Sequence, residues 1–176
     1  MSTKFFDRIT PGSDREKRLF SGALLFGGAI LGADQISKLY FERNFEIGEK
    51  KVIIDGFFDL THVRNIGAAW SMFSGQRFWL LLIAALVVVL LIRFFRHIAE
   101  NCAERYFAIL LMISGICGNS IDRLWRGEVV DFISLHYYEV YHYPVFNIAD
   151  IAICVGAMIY IASGFFRKDQ KEAKEQ

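Results

Sequence analysis

Four long stretches without a charged residue, 19–33, 78–92, 106–121 and 151–166, decide what this chain can fold into. Each is somewhat short of the ~20 residues a helix needs to cross a hydrocarbon core about 30 Å thick, so each must draw in its flanks. The spans predicted in this way cover about 18–38, 77–95, 105–123 and 145–166. Of the 176 residues 54% are apolar, and the average hydropathy is positive, a combination few soluble domains of this size show. The expectation is an all-α membrane protein with four transmembrane helices, forming one membrane-embedded unit over residues 1–176.

The flanks bring ionisable groups with them: Asp34 and Lys38 in the first span, Asp122 and Arg123 in the third, Asp150 in the fourth, and only Arg93 in the second. Lys and Arg resist translocation, so short basic loops report orientation. Lys4, Arg8, Arg15, Lys17 and Arg18 in the N-terminal tail, Arg93, Arg96 and Arg105 in the second connection, and Arg167, Lys168, Lys171 and Lys174 in the C-terminal tail fall on one side of a four-span chain. They outnumber the basic residues opposite, which places both termini in the cytoplasm, with Trp79 and Trp125 at the outer interface. The formal net charge of +1 gives no overall field for nucleic acid. Cys102, Cys117 and Cys154 are odd in number and widely spaced, so they read as packing residues and not as a disulfide framework. A cleavable signal peptide over 15–33 is the competing reading, but cleavage would strip Asp34 of the helix that places it. No lipobox cysteine follows that run, so the chain does not read as a lipoprotein itself.

The first outer loop, 39–77, is too long for a simple turn. Segments 51–54 and 57–63 are β-prone and separated by Asp55-Gly56, which predicts a hairpin and a small extracytoplasmic sheet. Asn65-Ile66-Gly67-Ala68-Ala69-Trp70 then suits an interfacial segment.

Depth is the informative property of the polar residues. With the N terminus inside, Asp34, Lys38, Asn119, Asp122 and Arg123 come late in outward-running helices, and Asn147 and Asp150 come early in an inward-running one. All lie at the outer end. Asp150 is expected about 7 Å below a helix start at Val145, and Asp131, in the short loop between the third and fourth helices, can bend back to the same level. Two poorly hydrated carboxyls cannot both ionise cheaply, so one retains a proton. One can then serve as general base on water while the other polarises a scissile carbonyl. Asn119 and Arg123, four apart, and Asn147 and Asp150, three apart, each share a helix face, as do Asp34 and Lys38 in the acid-first order that favours an ion pair.

Five segments in order resemble the prolipoprotein signal peptidase family, also called signal peptidase II: Ala33-Asp34-Gln35-Ile36-Ser37-Lys38, Val63-Arg64-Asn65-Ile66-Gly67-Ala68-Ala69-Trp70, Gly118-Asn119-Ser120-Ile121-Asp122-Arg123, Gly127-Glu128-Val129-Val130-Asp131-Phe132 and Pro144-Val145-Phe146-Asn147-Ile148-Ala149-Asp150. The resemblance implies an aspartic endopeptidase of the bacterial inner membrane that cleaves before the diacylglyceryl-modified cysteine of prolipoproteins. It implies Asp131 and Asp150 as catalytic dyad, Asn65, Asn119, Arg123 and Asn147 along the substrate groove, Gly67 and Ala149 as further supporting positions, and Asp34 with Lys38 as a supporting pair. It also implies that the first outer loop forms a β cradle and a lid, that lipidated prolipoproteins and membrane lipids are the partners, and that neither cofactor nor metal is used. Two departures concern fine specificity: Ile151 stands where a Ser is frequent, and 135–143 is rich in Tyr and His where a Trp-containing stretch is usual.

Plainer readings stand beside these. Asp34 and Lys38 read equally well as a structural ion pair, Arg123 as a neutraliser of Asp122 or Asp131, and Asn119 and Asn147 as interhelical hydrogen-bonding groups. His136 and His142 with Asp131 could be drawn as a zinc site of an intramembrane metallopeptidase, although no HExxH is present. A small membrane carrier would show polar groups along the whole bilayer depth.

Overall fold

The computed structural model describes residues 13–67, 72–138 and 140–175. Ala68, Ala69 and Trp70 of the expected interfacial segment, and Lys4 and Arg8 of the basic N-terminal tail, lie outside the described residues. Helix α1, Asp14–Asn44, starts where Ser13 and Glu16 form a capping box, each side chain accepting the other's backbone N–H. At 31 residues it is ~46 Å long, well beyond a hydrocarbon core. Strands β1, Lys50–Ile54, and β2, Phe58–Asn65, follow as a hairpin turning through Asp55 and Gly56, as expected. Helix α2 is Arg77–Arg93, with the short helix α3, Phe95–Ala99, behind it. Helix α4, Ala103–Trp125, is the central one, packed against α1, α2 and α5 and buried along much of its length. Strands β3, Val129–Tyr137, and β4, Tyr141–His142, then lead into α5, Ile148–Glu175.

Three helices are long and apolar enough to cross a membrane by length and composition: Asp14–Asn44, Ala103–Trp125 and Ile148–Phe166 of α5. Helix α2 has 17 residues, about 25 Å, a few ångströms less than the hydrocarbon core, and none of its residues is buried.

The sheet corrects the sequence reading in one respect. Asp131 does not sit in a loop. It lies within the nine-residue strand β3, which pairs antiparallel with β2 so that Val63 stands opposite Asp131 and Asn65 opposite Val129. The two connections expected on the outer side are thereby joined into one sheet of order β1-β2-β3-β4. The cause is local: Val129-Val130 and Phe132-Ile133 favour extended backbone, and pairing with β2 satisfies main-chain groups that a loop would leave open.

The sheet is fastened to the protruding end of α1. Val130 and Phe132 point to the same side of β3 and bury themselves with Phe41, whose ring stacks on Phe132 at 4.4 Å and 11°. Strand alternation therefore turns Asp131 to the opposite side. A second apolar cluster, Ala23, Phe95, Ala99, Tyr106, Ile109 and Leu110, ties α1, α3 and α4 together at the other end of the bundle.

Helix α5 begins three residues later than expected, at Ile148 in place of Val145. Asn147 is its N-cap: the Asn147 carbonyl Oδ1 accepts the Asp150 N–H at 3.0 Å, and Asp150 Oδ2 accepts the Asn147 N–H at 3.1 Å. Asp150 thus occupies the third helical position of a capping box, in the first turn and not a turn and a half below the helix start. The next helical N–H, that of Ala149, is taken by Asp34 of α1 at 2.9 Å.

Candidate active site

The ten residues singled out from sequence converge on one cluster. Asp131, at 2% exposure, accepts from the Asn147 side-chain amide at 2.6 Å and from that of Asn65 at 2.9 Å. Asp150 accepts from the Asn119 amide at 2.8 Å in addition to the Asn147 N–H. Asn147, wholly buried, is the bridge between the two carboxyls, and its amide also donates to Asn119 Oδ1 at 3.1 Å. Gly67 donates its N–H to Asn65 Oδ1 at 2.9 Å, and Arg123 donates to the Gly67 carbonyl at 2.6 Å and to the Asn119 carbonyl at 3.3 Å. Arg123 therefore holds backbone around the site through its hydrogen bonds, while the charges of Asp150, Asp131 and Asp122 all act on it.

Behind this layer lies a buried ion cluster. Lys38, with no exposed surface, directs its ammonium at Asp34 Oδ2 at 2.9 Å, at Asp122 Oδ2 at 2.8 Å and at Asn119 Oδ1 at 2.9 Å. The expected Asp34–Lys38 pair is present, and sequence reasoning missed its third member. Asp122 is as buried as Lys38 and also accepts from Arg126 at 2.7 Å and from the Val130 N–H at 3.3 Å. Gln35 was missed as well. Its amide nitrogen lies within hydrogen-bond distance of Asp34 at 3.1 Å, Asp122 at 3.3 Å and the Gly118 carbonyl at 3.2 Å. From Asp122 the charges continue outward through Arg126, Glu42 and Arg64 to Glu128.

The carboxyls of Asp131 and Asp150 face a cavity of about 460 Å³. One side of the sheet lines it with Val63, Asn65, Val129 and Asp131, and the helices add Asn119, Arg123, Asp150, Ile153 and Cys154. Burial pushes the Asp131 carboxyl up to about 7, and the neighbouring charge of Asp150 pushes in the same direction. The hydrogen bonds from Asn65 and Asn147, with the charge of Lys38, oppose this and do not outweigh it. A carboxyl that keeps its proton near neutrality beside a second carboxyl is the arrangement that general acid and general base catalysis on one substrate requires.

His136 and His142 are elsewhere. Their rings stack at 5.5 Å, and His136 meets Asp59 of β2 at 3.1 Å, so Asp131 is not their partner. Among the described residues no three His, Cys, Asp or Glu side chains are grouped so as to hold a metal ion.

Residues 25–166 match the sequence profile of the family described as signal peptidase (SPase) II. The chain is 38% identical over 158 residues to a lipoprotein signal peptidase of Chromobacterium violaceum, covering 86% of this chain and 93% of that one. It is 38% identical over 147 residues to the lipoprotein signal peptidase of Bacillus subtilis, covering 84% and 94%. Two solved structures of bacterial membrane enzymes share the fold, both at 33% identity. One superposes with a TM-score of 0.80 over 89% of this chain and 93% of its own, the other with 0.74 over 81% and 92%.

Proposed function

Because the chain belongs to the signal peptidase II family, we propose that it removes signal peptides from prolipoproteins, and that it does so as an aspartic endopeptidase with Asp131 and Asp150 as the catalytic pair. One observation carries the aspartic reading: Asn147 donates its side-chain amide to one carboxyl and its main-chain N–H to the other, beside a cavity open to a peptide. Water activated by the ionised carboxyl adds to the scissile carbonyl carbon while the protonated carboxyl donates to the carbonyl oxygen. Asn65, Asn119, Arg123 and Asn147 orient that pair and the groove beside it, Gly67 and Ala149 supply main-chain groups, and Asp34 with Lys38 anchors the start of α5.

The substrate is the diacylglyceryl-modified precursor, cut before its lipidated cysteine. Ile153 and Cys154 continue the cavity wall down α5, the side from which acyl chains in the outer leaflet would approach. Helix α2 completes a four-span chain, since its apolar run reaches a full span with the flanking residues on either side. Both termini lie in the cytoplasm, residues 1–176 form one unit in the bacterial inner membrane, and the dyad sits near its outer face.

The test is cleavage of a diacylated prolipoprotein by the purified protein, with and without chelator, alongside Asp131→Asn and Asp150→Asn. Each variant should lose ~10²- to 10⁴-fold in turnover, and the double variant should be scarcely worse, since the pair acts as a unit. Loss of turnover in chelator with recovery on adding zinc would remove the aspartic mechanism.

A further inference from the structure

We propose that Lys38 is a positioning residue for this reaction: through the side-chain amide of Asn119 it makes Asp150 the carboxylate of the pair and leaves the shared proton on Asp131. The catalytic meaning of this assignment rests on the peptidase reading above; its physical content does not.

Donors and acceptors around Lys38 fix the arrangement. An ammonium has three N–H groups and no acceptor. All three of Lys38 are engaged, on Asp34, Asp122 and Asn119 Oδ1. The end of Asn119 that faces Lys38 must therefore be its carbonyl, which turns its NH₂ onto Asp150 Oδ1 at 2.8 Å. An NH₂ can only donate, so that oxygen is held as an acceptor. The other oxygen, Oδ2, accepts a main-chain N–H, which cannot reverse either. Asp150 also sits in the first turn of a helix, where unpaired N–H groups favour negative charge.

Asp131 is held differently. Its amide donors, on Asn147 and Asn65, touch no charged group besides Asp131 itself: that of Asn147 is held by the N–H of Asp150 and the carbonyls of Asn119 and Val130, and that of Asn65 by the N–H of Gly67. It lies on a strand and meets the start of α5 through the Asn147 side chain, not from within the first turn as Asp150 does, and its burial keeps it protonated up to about pH 7. The remaining charges nearby do not undo this asymmetry. Asp34 and Asp122 both turn to Lys38, and Arg123 is occupied with the carbonyls of Gly67 and Asn119. The charge of Lys38 acts on both carboxyls and is partly offset by Asp34 and Asp122, so what separates Asp150 from Asp131 is the fixed orientation of the Asn119 amide.

Asp150 takes a proton from water as the water oxygen bonds to the scissile carbon, and Asp131 gives its proton to the carbonyl oxygen. On collapse Asp150 passes its proton to the leaving nitrogen, the C–N bond breaks, and Asp131 recovers a proton from the hydroxyl as the carboxylic acid forms.

The experiment uses the full chain in lipid nanodiscs without substrate, with aspartate labelled at ¹³Cγ and the two signals assigned from Asp131→Asn and Asp150→Asn. At about pH 6 the Asp131 signal should stand at the carboxylic-acid position and the Asp150 signal at the carboxylate position. Asn119→Ser severs the relay while leaving Lys38 its two carboxylates, and Lys38→Met removes its source. In both, the Asp150 signal should move toward the acid position and that of Asp131 toward the carboxylate, and kcat on diacylated prolipoprotein should fall ~10²-fold with KM little changed. If Lys38→Met does not fold, Asn119→Ser alone decides. The proposal fails if Asp150 holds the acid signal in the unaltered protein, or if Asn119→Ser keeps the original split, as a purely structural Lys38 would require. A protein that shows the split and cleaves no prolipoprotein would overturn the peptidase reading and leave the proton assignment standing.

Discussion

Gly118→Ala is a one-atom test of how the site is held. Gly118 lies on α4 where Asp34 of α1 and the first turn of α5 meet, and a Cβ there would fall 2.6 Å from Asp34 Oδ2 and 3.2 Å from Ala149 Cβ. Asp34 cannot simply swing aside, because Lys38 at 2.9 Å, the Ala149 N–H at 2.9 Å and Gln35 at 3.1 Å all hold it. Relieving the contact requires a shift of most of an ångström in a close-packed interior. Overpacking costs ~1–3 kcal/mol and a weakened bond to a charged acceptor ~1.5–3, against ~1 regained from helix propensity, so the net destabilisation should be about 1.5–5 kcal/mol. Activity should suffer more. The Ala149 N–H moves with Asp34, Asp150 is the next residue, and a misplacement of about 1 Å costs on the order of 10²-fold in rate. Gly28→Ala is the control, since nothing lies within 4 Å of a Cβ there. Thermal unfolding in detergent and turnover of a diacylated precursor are the two readouts. If Gly118→Ala melts and cleaves like Gly28→Ala, the claim that Asp34 fixes the start of α5 is wrong.

Three further outcomes are expected. The folded-state value of about 7 for Asp131 lies above its ordinary 3.8, so the folded protein holds the extra proton between them. Stability should therefore fall as pH rises through that window, by at most on the order of 4 kcal/mol, and level off above it, whereas Asp131→Asn should remove that slope in melts followed across pH. Prolipoprotein without its diacylglyceryl group should be cut far more slowly than the lipidated form, since each buried methylene contributes ~0.8 kcal/mol; equal rates in a matched assay would contradict the substrate assignment. For the proposed topology, single cysteines at positions 10 and 170 should be labelled only from the cytoplasmic side and one at position 45 from outside, and external labelling at 170 would overturn the orientation.

The helices were legible because apolar runs between charged flanks carry their own signal, and candidates such as Asp34, Lys38 and Asp150 because ionisable groups at one end of such runs have no ordinary reason to be there, whereas Asp131 alone would read as an ordinary solvated loop carboxylate and was singled out by the resemblance. What escaped had physical causes. Strand β3 is buried on both faces from Val129 to Phe132, so it shows no alternation of polar and apolar residues, and its β-branched pairs were the only local cue. The start of α5 was signalled by Asn147 with an acid three residues on, the pattern of an N-cap, but the apolar run before it masked the boundary. Asp122 and Arg123 are neighbours in sequence yet turn to different sides of α4, one to Lys38 and one to Gly67, and depth alone does not separate them. Gln35, uncharged, carried no cue beyond its neighbour Asp34.

The joining of the two outer connections into one sheet bears on how the protein comes into being. Asp131 is fixed by a strand that pairs with β2, made more than sixty residues earlier along the chain, and Asp150 by a helix whose first turn is capped from α1. In the proposed topology the chain is inserted span by span, and β2 would stand on the outer side of the membrane with one long edge open until α4 has crossed and β3 arrives. Asp150 would take its place only when α5 docks against Asp34. On that reading a chain stalled before α5 holds only the Asp131 half of the proposed pair, an inert precursor instead of a half-built protease in the membrane.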